Sequence, residues 1–153
     1  ALTNQSGAFV AAGSDPVRLG NHHPSIVPYG VFKASDRQLA IAIGNDRQYQ
    51  RFAELVGILD KRYEKNSDRV AFREELISEI NQKLGSKSAK LWIEVFRAHQ
   101  IPAGPINSIP EAFAFAQEIG LAPIVEIEGI KSVANPIKLS ETPVEYRKAP
   151  PTN

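Results

Sequence analysis

Tyr29-Gly30-Val31-Phe32-Lys33-Ala34-Ser35-Asp36-Arg37-Gln38-Leu39-Ala40-Ile41-Ala42-Ile43 reads as two β-strands about a polar turn. Residues 29–33 and 39–43 are rich in β-branched, aromatic and other apolar side chains, and Ala34-Ser35-Asp36-Arg37 is the polar break a hairpin needs. The second strand is apolar throughout, the pattern of a strand buried on both faces. Several of the segments around it have helical spacing instead, so one hairpin here makes the chain α+β.

Gly44 ends the hairpin, and Asn45 stands three residues before Gln48, the spacing of a variant capping box. Tyr49, Phe52, Ala53 and Val56 then recur at i, i+3, i+4 and i+7, with Gly57 as a stop, which predicts a short amphipathic helix. Residues 60–67 are charged and read as a surface connection. Asn66 or Ser67 can cap a second helix with Val70, Leu76, Ile77, Ile80 and Leu84 on its apolar face and Gly85 at its end. Ser86 or Ser88 opens a third, with Leu91, Trp92, Val95 and Phe96 on one side. Trp92 could be a stacking platform for a ligand, but its helical spacing favours a core anchor. His99, near the end of that helix, suits a cation beside the negative pole of the dipole. Asn107 or Ser108 caps a fourth helix, with Pro110 in its first turn and a small apolar face of Ala112, Phe113 and Ala116.

At the start of the chain, residues 2–13 are small and apolar and read as the tail of a helix with Gly13 at its C′ position. Such a surface would be sticky alone, so it is expected to pack on protein outside this chain. Near the other end, residues 124–128 and 131–134 alternate with period two about Gly129. They predict a second hairpin, completing the small sheet.

The 153 residues suffice for one domain with a real core and are too few for two ordinary ones. Charge is nearly balanced, 18 Lys+Arg against 17 Asp+Glu, without a basic block, which argues against nucleic acid or an anionic membrane as partner. No apolar run is long enough to span a bilayer and no secretory signal opens the chain. The absence of Cys excludes a disulfide scaffold and a thiolate metal site and fits a cytoplasmic protein. His22 and His23 are adjacent and His99 is remote; neighbouring side chains of an extended chain point apart, so no metal site is expected. No phosphate-binding loop, dinucleotide fingerprint or nucleophile elbow occurs. The chain starts at Ala and holds no Met, so it reads as a fragment of a longer protein.

The stretch with most chemistry is Gly20-Asn21-His22-His23-Pro24-Ser25-Ile26-Val27-Pro28-Tyr29. Its prolines fix φ and hold the preceding residues extended, giving a stiff segment that leads into the first strand. Its histidines are either idle members of a connecting loop or part of a binding wall. A loop turned wholly away from any cleft would remove the second reading. Together with Gly44-Asn45-Asp46, Ile101-Pro102-Ala103-Gly104-Pro105-Ile106-Asn107 and Asn135-Pro136-Ile137-Lys138-Leu139-Ser140, this loop resembles the family III CoA-transferases, a family that includes formyl-CoA transferase, carnitine CoA-transferase and α-methylacyl-CoA racemase. The matching pieces fall in the family's order over residues 1–151.

The resemblance implies a small domain, α+β, with a small antiparallel sheet of two hairpins and about four helices. Residues 1–28 would be a linker helix and substrate-facing loop, 29–143 the small domain, and 144–153 the start of a linker returning to a large domain. It implies an acyl-CoA:carboxylate CoA-transferase, in which an aspartate of the large domain attacks an acyl-CoA thioester to give a mixed anhydride. An enzyme-bound CoA thioester follows, and a second carboxylate resolves it. No Asp here matches the nucleophile's motif, so no catalytic residue is assigned and the chain alone is expected to be inactive. Gly20, Asn21, His22, His23 and Pro24 take the place of a glycine-rich loop that closes over the acyl group, which makes them substrate-binding candidates. Because Asn21, His22 and His23 replace most of those glycines, a bulkier, stiffer loop and an acid other than formate or oxalate are expected.

By the same resemblance the partners are acyl-CoA and a carboxylic acid, with coenzyme A as substrate, no permanent cofactor, and an interlocked homodimer. The 101–107 segment is either a rigid crossing between helices or part of the cleft lining. Gln100 stands where the family has glycine before its Ile/Val-Pro; either it bears a left-handed backbone or the helix ends differently. Two other readings stand beside the transferase: a racemase exchanging the α proton of a 2-methylacyl thioester, and a non-catalytic dimerisation module.

Overall fold

The computed structural model describes residues 3–151. Leu2, where the first apolar segment opens, and the last two residues of the C-terminal segment lie outside them. In chain order, α1 (Thr3–Ala12) precedes the hairpin of β1 (Tyr29–Lys33) and β2 (Gln38–Ala42). Then come α2 (Asp46–Val56), α3 (Asn66–Ala71), α4 (Arg73–Leu84), α5 (Ala89–Ala98) and β3 (Ala103–Pro105), and finally α6 (Ile109–Glu118), β4 (Ile124–Ile127) and β5 (Ile130–Val133). The class is α+β, as expected. The chain divides into two compact units between Ile106 and Asn107.

The first unit is built on an antiparallel sheet in the order β1-β2-β3. Phe32 pairs with Leu39 and Gly30 with Ile41, so Phe32, Leu39 and Ile41 share one face and are buried. Against that face lie Phe52 of α2, Leu76, Ile80 and Leu84 of α4, and Trp92 and Phe96 of α5. Phe96 links them, with its ring centroid 5.4 Å from both Phe52 and Trp92. Each such side chain contributes about 1.5–3 kcal/mol by leaving water. Trp92 is the core anchor, and its indole Nε1–H donates to the Leu84 carbonyl at 2.8 Å, so its one polar group is satisfied in the core. Asp36 ties the hairpin turn to α5: its Oδ1 accepts from the Ala89 N–H at 2.7 Å and the Arg37 N–H at 2.9 Å. The Ala89 bond, ahead of the others, holds its carboxyl below the usual carboxylate range.

Local signals account for the starts of α2, α5 and α6, but not for α3, where Lys65 holds the N-cap position without a side-chain bond and Asn66 and Ser67, the expected caps, lie inside the helix. Asn45 caps α2 by accepting from the Gln48 N–H at 2.9 Å, while the Gln48 amide oxygen reaches back to the Gly44 N–H at 2.8 Å. Gly57 closes α2 at φ 75°, where a Cβ would be strained. Ser88 caps α5, and Ser108 and Glu111 form a full capping box on α6.

Five further details differ from the sequence reading. Residues 103–105 form a third strand on β2, pairing Ala103 with Ile41, Gly104 with Ala40 and Pro105 with Leu39. Pro102 and Pro105 disguised it as a loop, yet an edge strand tolerates proline because its outer N–H groups have no ladder partner. The second hairpin forms a sheet of its own, closed by Glu128 (φ 52°) and Gly129 (φ 79°), the two positive φ values of a tight two-residue turn. The second helix is kinked into α3 and α4 at Phe72, although the Phe72 N–H still bonds Asp68 O and the Leu76 N–H bonds Phe72 O. Tyr63, in the connection read as surface, is fully buried in a 3-10 turn, while Leu91 is exposed and Ile93 takes its place in the core. Finally, β2 is buried on one face only; Ala40 and Ala42 are half-buried on the other.

In the second unit α6 and the β4–β5 hairpin bury no residue fully among those described. Tyr146 ties the C-terminal segment back to the hairpin's end, its hydroxyl accepting from the Asn135 N–H at 2.6 Å.

Gln100 bears the left-handed conformation, at φ 57°, after α5. An L-residue there is destabilised by about 1–2 kcal/mol, of which glycine recovers all but its own chain-entropy penalty of about 0.5–1 kcal/mol. Gln100→Gly is therefore expected to raise the thermal midpoint by about 2 °C, and Gln100→Ala to leave it unchanged. Differential scanning calorimetry of both variants checks this; a lower midpoint for the glycine variant would refute it.

Candidate functional site

The loop leading into β1 is held from behind by side chains that lie 39–50 residues further along the chain. Asn66 accepts the Val27 N–H through Oδ1 at 3.1 Å and donates from Nδ2 to the Ser25 carbonyl at 2.8 Å. Arg69 donates from Nε to the Val27 carbonyl at 2.6 Å. The Arg73 guanidinium donates from one nitrogen to the His23 carbonyl at 2.9 Å and from the other to the Pro24 carbonyl at 2.6 Å. The charged donors of Arg69 and Arg73 put their bonds in the stronger class. Four loop carbonyls that a strand or helix would ordinarily satisfy are thus answered by three side chains of α3 and α4.

Arg69 is the keystone. It is wholly buried, donates also to the Tyr63 and Glu64 carbonyls at 2.9 Å, pairs with Asp46 at 2.7 Å, and lies 4.2 Å above the Tyr49 ring centroid. Neither Arg69, Arg73 nor Asn66 was singled out from sequence as a site residue. A signal existed: Asn66, Arg69, Arg73, Leu76 and Ile80 recur at helical spacing, so the polar residues continue the stripe that enters the core.

Each candidate residue of the loop has a distinct place. Gly20 turns the chain at φ 59° and is exposed. Asn21 is exposed and lines an open concavity of about 500 Å³ on the face of the sheet opposite the core. Its floor is Val31, Ala40, Ala42 and Gly104, with Tyr29 and Pro102 beside them, so it is apolar and made mostly of small side chains. His22 turns to the other face: its ring lies edge-on to Phe32, centroids 5.5 Å apart, and covers the Cα of Gly30 so closely that a Cβ there would clash with Nδ1. Burial, then the Arg73 charge, push its pKa below the ordinary imidazole value, against a backbone hydrogen bond at Tyr29, so the ring is neutral at pH 7. His23 lies 5.3 Å from the Tyr29 ring and accepts the Ser25 N–H at Nδ1 (3.1 Å), which puts the proton of the neutral ring on Nε2. Pro24 faces Arg73 through its carbonyl. The loop therefore brings Asn21 to the concavity while both imidazoles fold back onto aromatic neighbours. Of the 101–107 segment, Pro102, Ala103 and Gly104 line the same concavity.

Among the described residues no cluster of His, Cys, Asp and Glu could hold a metal ion, and no helix is long and apolar enough to cross a membrane.

An α+β domain with one sheet face in the core and the other open beneath a clamped polar loop is the class of structure this chain forms. It belongs to CoA-transferase family III, whose family model matches residues 1–153. It is similar to the succinate–glutarate CoA-transferase of Agrobacterium fabrum, 36% identical over 159 residues that cover 98% of this chain and 40% of the relative. It is similar also to the acetyl-CoA:oxalate CoA-transferase of Acetobacter aceti, 30% identical over 92% of this chain and 38% of that relative. Among solved structures, a CAIB/BAIF family protein from Brucella suis matches with a TM-score of 0.78 at 32% identity, covering 94% of this chain and 39% of that one. The chain thus spans about 40% of the length of these curated relatives.

Proposed function

We propose that this chain is the part of an acyl-CoA:carboxylate CoA-transferase that walls the acyl site, the wall being the loop of Gly20, Asn21, His22, His23 and Pro24, of which Asn21 faces the concavity and the others hold it in place. The observation that carries this is Asn21 at the mouth of the small-residue concavity, on a loop too firmly held to be an idle connection. An apolar floor suits the methylene part of an acid, and the Asn21 amide can donate to a carboxylate oxygen at its edge. The succinate–glutarate relative acts on acids that have such a methylene part, which favours a dicarboxylic acid of that kind over oxalate, the acid of the Acetobacter aceti relative.

In this reading residues 29–143 are the small domain, while 1–28 and 144–153 join it to the nucleophile-bearing remainder. The whole works as an interlocked homodimer in the cytoplasm, with no permanent cofactor. The remainder's aspartate carboxylate adds to the thioester carbonyl and expels CoA thiolate, leaving a mixed anhydride. The thiolate then attacks the aspartyl carbonyl and releases the first acid, and the resulting aspartyl thioester passes CoA to the second acid through a second anhydride. No residue of this chain forms a bond in that sequence. The alternative is α-proton exchange on a 2-methylacyl thioester; His22, the neutral imidazole it would call on, is turned onto Phe32 and away from the concavity, so the transferase reading is preferred.

Incubating the complete enzyme with an acyl-CoA and a panel of carboxylic acids in deuterated water, with mass spectrometry of the products, separates these. A new acyl-CoA carrying the acceptor acid is the expected result, and the chain alone should leave acyl-CoA unconsumed. Unchanged acyl-CoA that gains one deuterium α to the thioester would put the racemase in its place.

A further inference from the structure

We propose that Asn66, Arg69 and Arg73 are positioning residues for acid selection. They fix the height of Asn21 over the concavity, and this preset gap, rather than closure of a mobile loop, sorts acids by length. The inference rests on the wall reading above.

Three observations support it. The bonds fall on consecutive carbonyls, those of His23, Pro24 and Ser25, and then on both backbone groups of Val27. A loop meant to swing would leave these groups to water; here every swing would break charge-assisted bonds in a half-buried setting. Second, Arg73 forms no ion pair within 4.0 Å among the described residues, so both its guanidinium contacts are committed to the loop backbone. Third, the rings of His22 and His23 are seated on Phe32 and Tyr29, which pins the residues on one side of Asn21 to the strand that also floors the concavity. Preorganisation of this kind converts binding energy into discrimination, because a ligand of the wrong length cannot recruit the loop.

The test uses the complete enzyme and one acyl-CoA donor, with linear dicarboxylic acids of four, five and six carbons as acceptors, reading kcat/KM for each. For Arg73→Gln the preference between the best acid and the next is expected to fall about tenfold, the worth of one lost charge-assisted bond to the loop, with the loss carried by KM rather than kcat. Arg73→Lys, whose single ammonium nitrogen keeps the charge but lacks the planar fork that spans the two carbonyls, should fall between. A purely structural role would lower all acids alike and leave their ratio in place. If Arg73→Gln fails to fold, Asn66→Ala reads the same ratio with less disturbance. An unchanged ratio in folded Arg73→Gln and Asn66→Ala, while Asn21→Ala alters it, overturns the clamp and leaves the wall standing. An unchanged ratio in Asn21→Ala as well overturns both.

Discussion

Replacing Arg69 by alanine is expected to destabilise the protein by about 3–5 kcal/mol, the range for removing one partner from a buried charged network. The magnitude comes from what is left behind rather than from the ion pair itself. The carbonyls of Val27 and Tyr63 lose their donor in a buried setting, where each unsatisfied group costs about 1–3 kcal/mol, and that of Glu64 loses it in a part-buried one. The pair with Asp46 contributes little, because that carboxylate is half exposed and rehydrates when the guanidinium is gone. Asp46→Ala should accordingly cost less than about 1 kcal/mol, in spite of the 2.7 Å contact. Arg69→Met keeps the volume of the apolar stem but loses the donors and the guanidinium over the Tyr49 ring, so it should lie between the two. Equilibrium urea unfolding orders the three variants. A loss of 1 kcal/mol or less for Arg69→Ala would mean that water or a neighbouring donor satisfies those carbonyls, and the loop is held by something else.

The same residue shows where sequence reading stops. The first hairpin, the α2 stripe of Tyr49, Phe52, Ala53 and Val56, and the Asn45 and Ser108 caps were legible because each is set by neighbours within a turn or a strand. The third strand was not, since Ala103-Gly104-Pro105 has no strand propensity of its own and becomes one only because the β2 edge offers it hydrogen bonds. Tyr63 and Arg69 were hidden for a related reason: charged surroundings suggest solvent, and only the long-range contacts to Val27 and Asp46 reveal the interior. At the candidate site the loop itself was legible from its prolines and histidines. Its orientation was not. Asn21 faces the concavity while His22 and His23 turn onto Phe32 and Tyr29, and the loop that carries them is bonded by Arg73 and Asn66, which no local pattern connects to it.

Gly30→Ala should disturb that orientation directly, and its effect can be separated from ordinary strand stability. Alanine is the smallest change a strand residue can undergo, and at an open position it would stabilise slightly by narrowing the unfolded ensemble. At Gly30, however, the new Cβ would strike His22 Nδ1 and come within 2.9–3.0 Å of Cε1 and Cγ. Moving a ring tip would not relieve contacts on Nδ1 and Cγ together; the whole imidazole has to leave Phe32. Overpacking of this sort costs about 1–3 kcal/mol. The double variant His22→Ala/Gly30→Ala removes the obstacle, so the alanine at 30 should then cost nothing or stabilise. The coupling between the two sites, read from a double-mutant cycle in urea, is thus expected to be about 1–3 kcal/mol and favourable to the pair of changes. With no coupling, the ring does not rest on Gly30 in solution, and the loop would be free to move over the sheet. With the expected coupling, the glycine is there to admit the imidazole, and the short reach from His22 to Asn21 is what ties the mouth of the concavity to the strand beneath it.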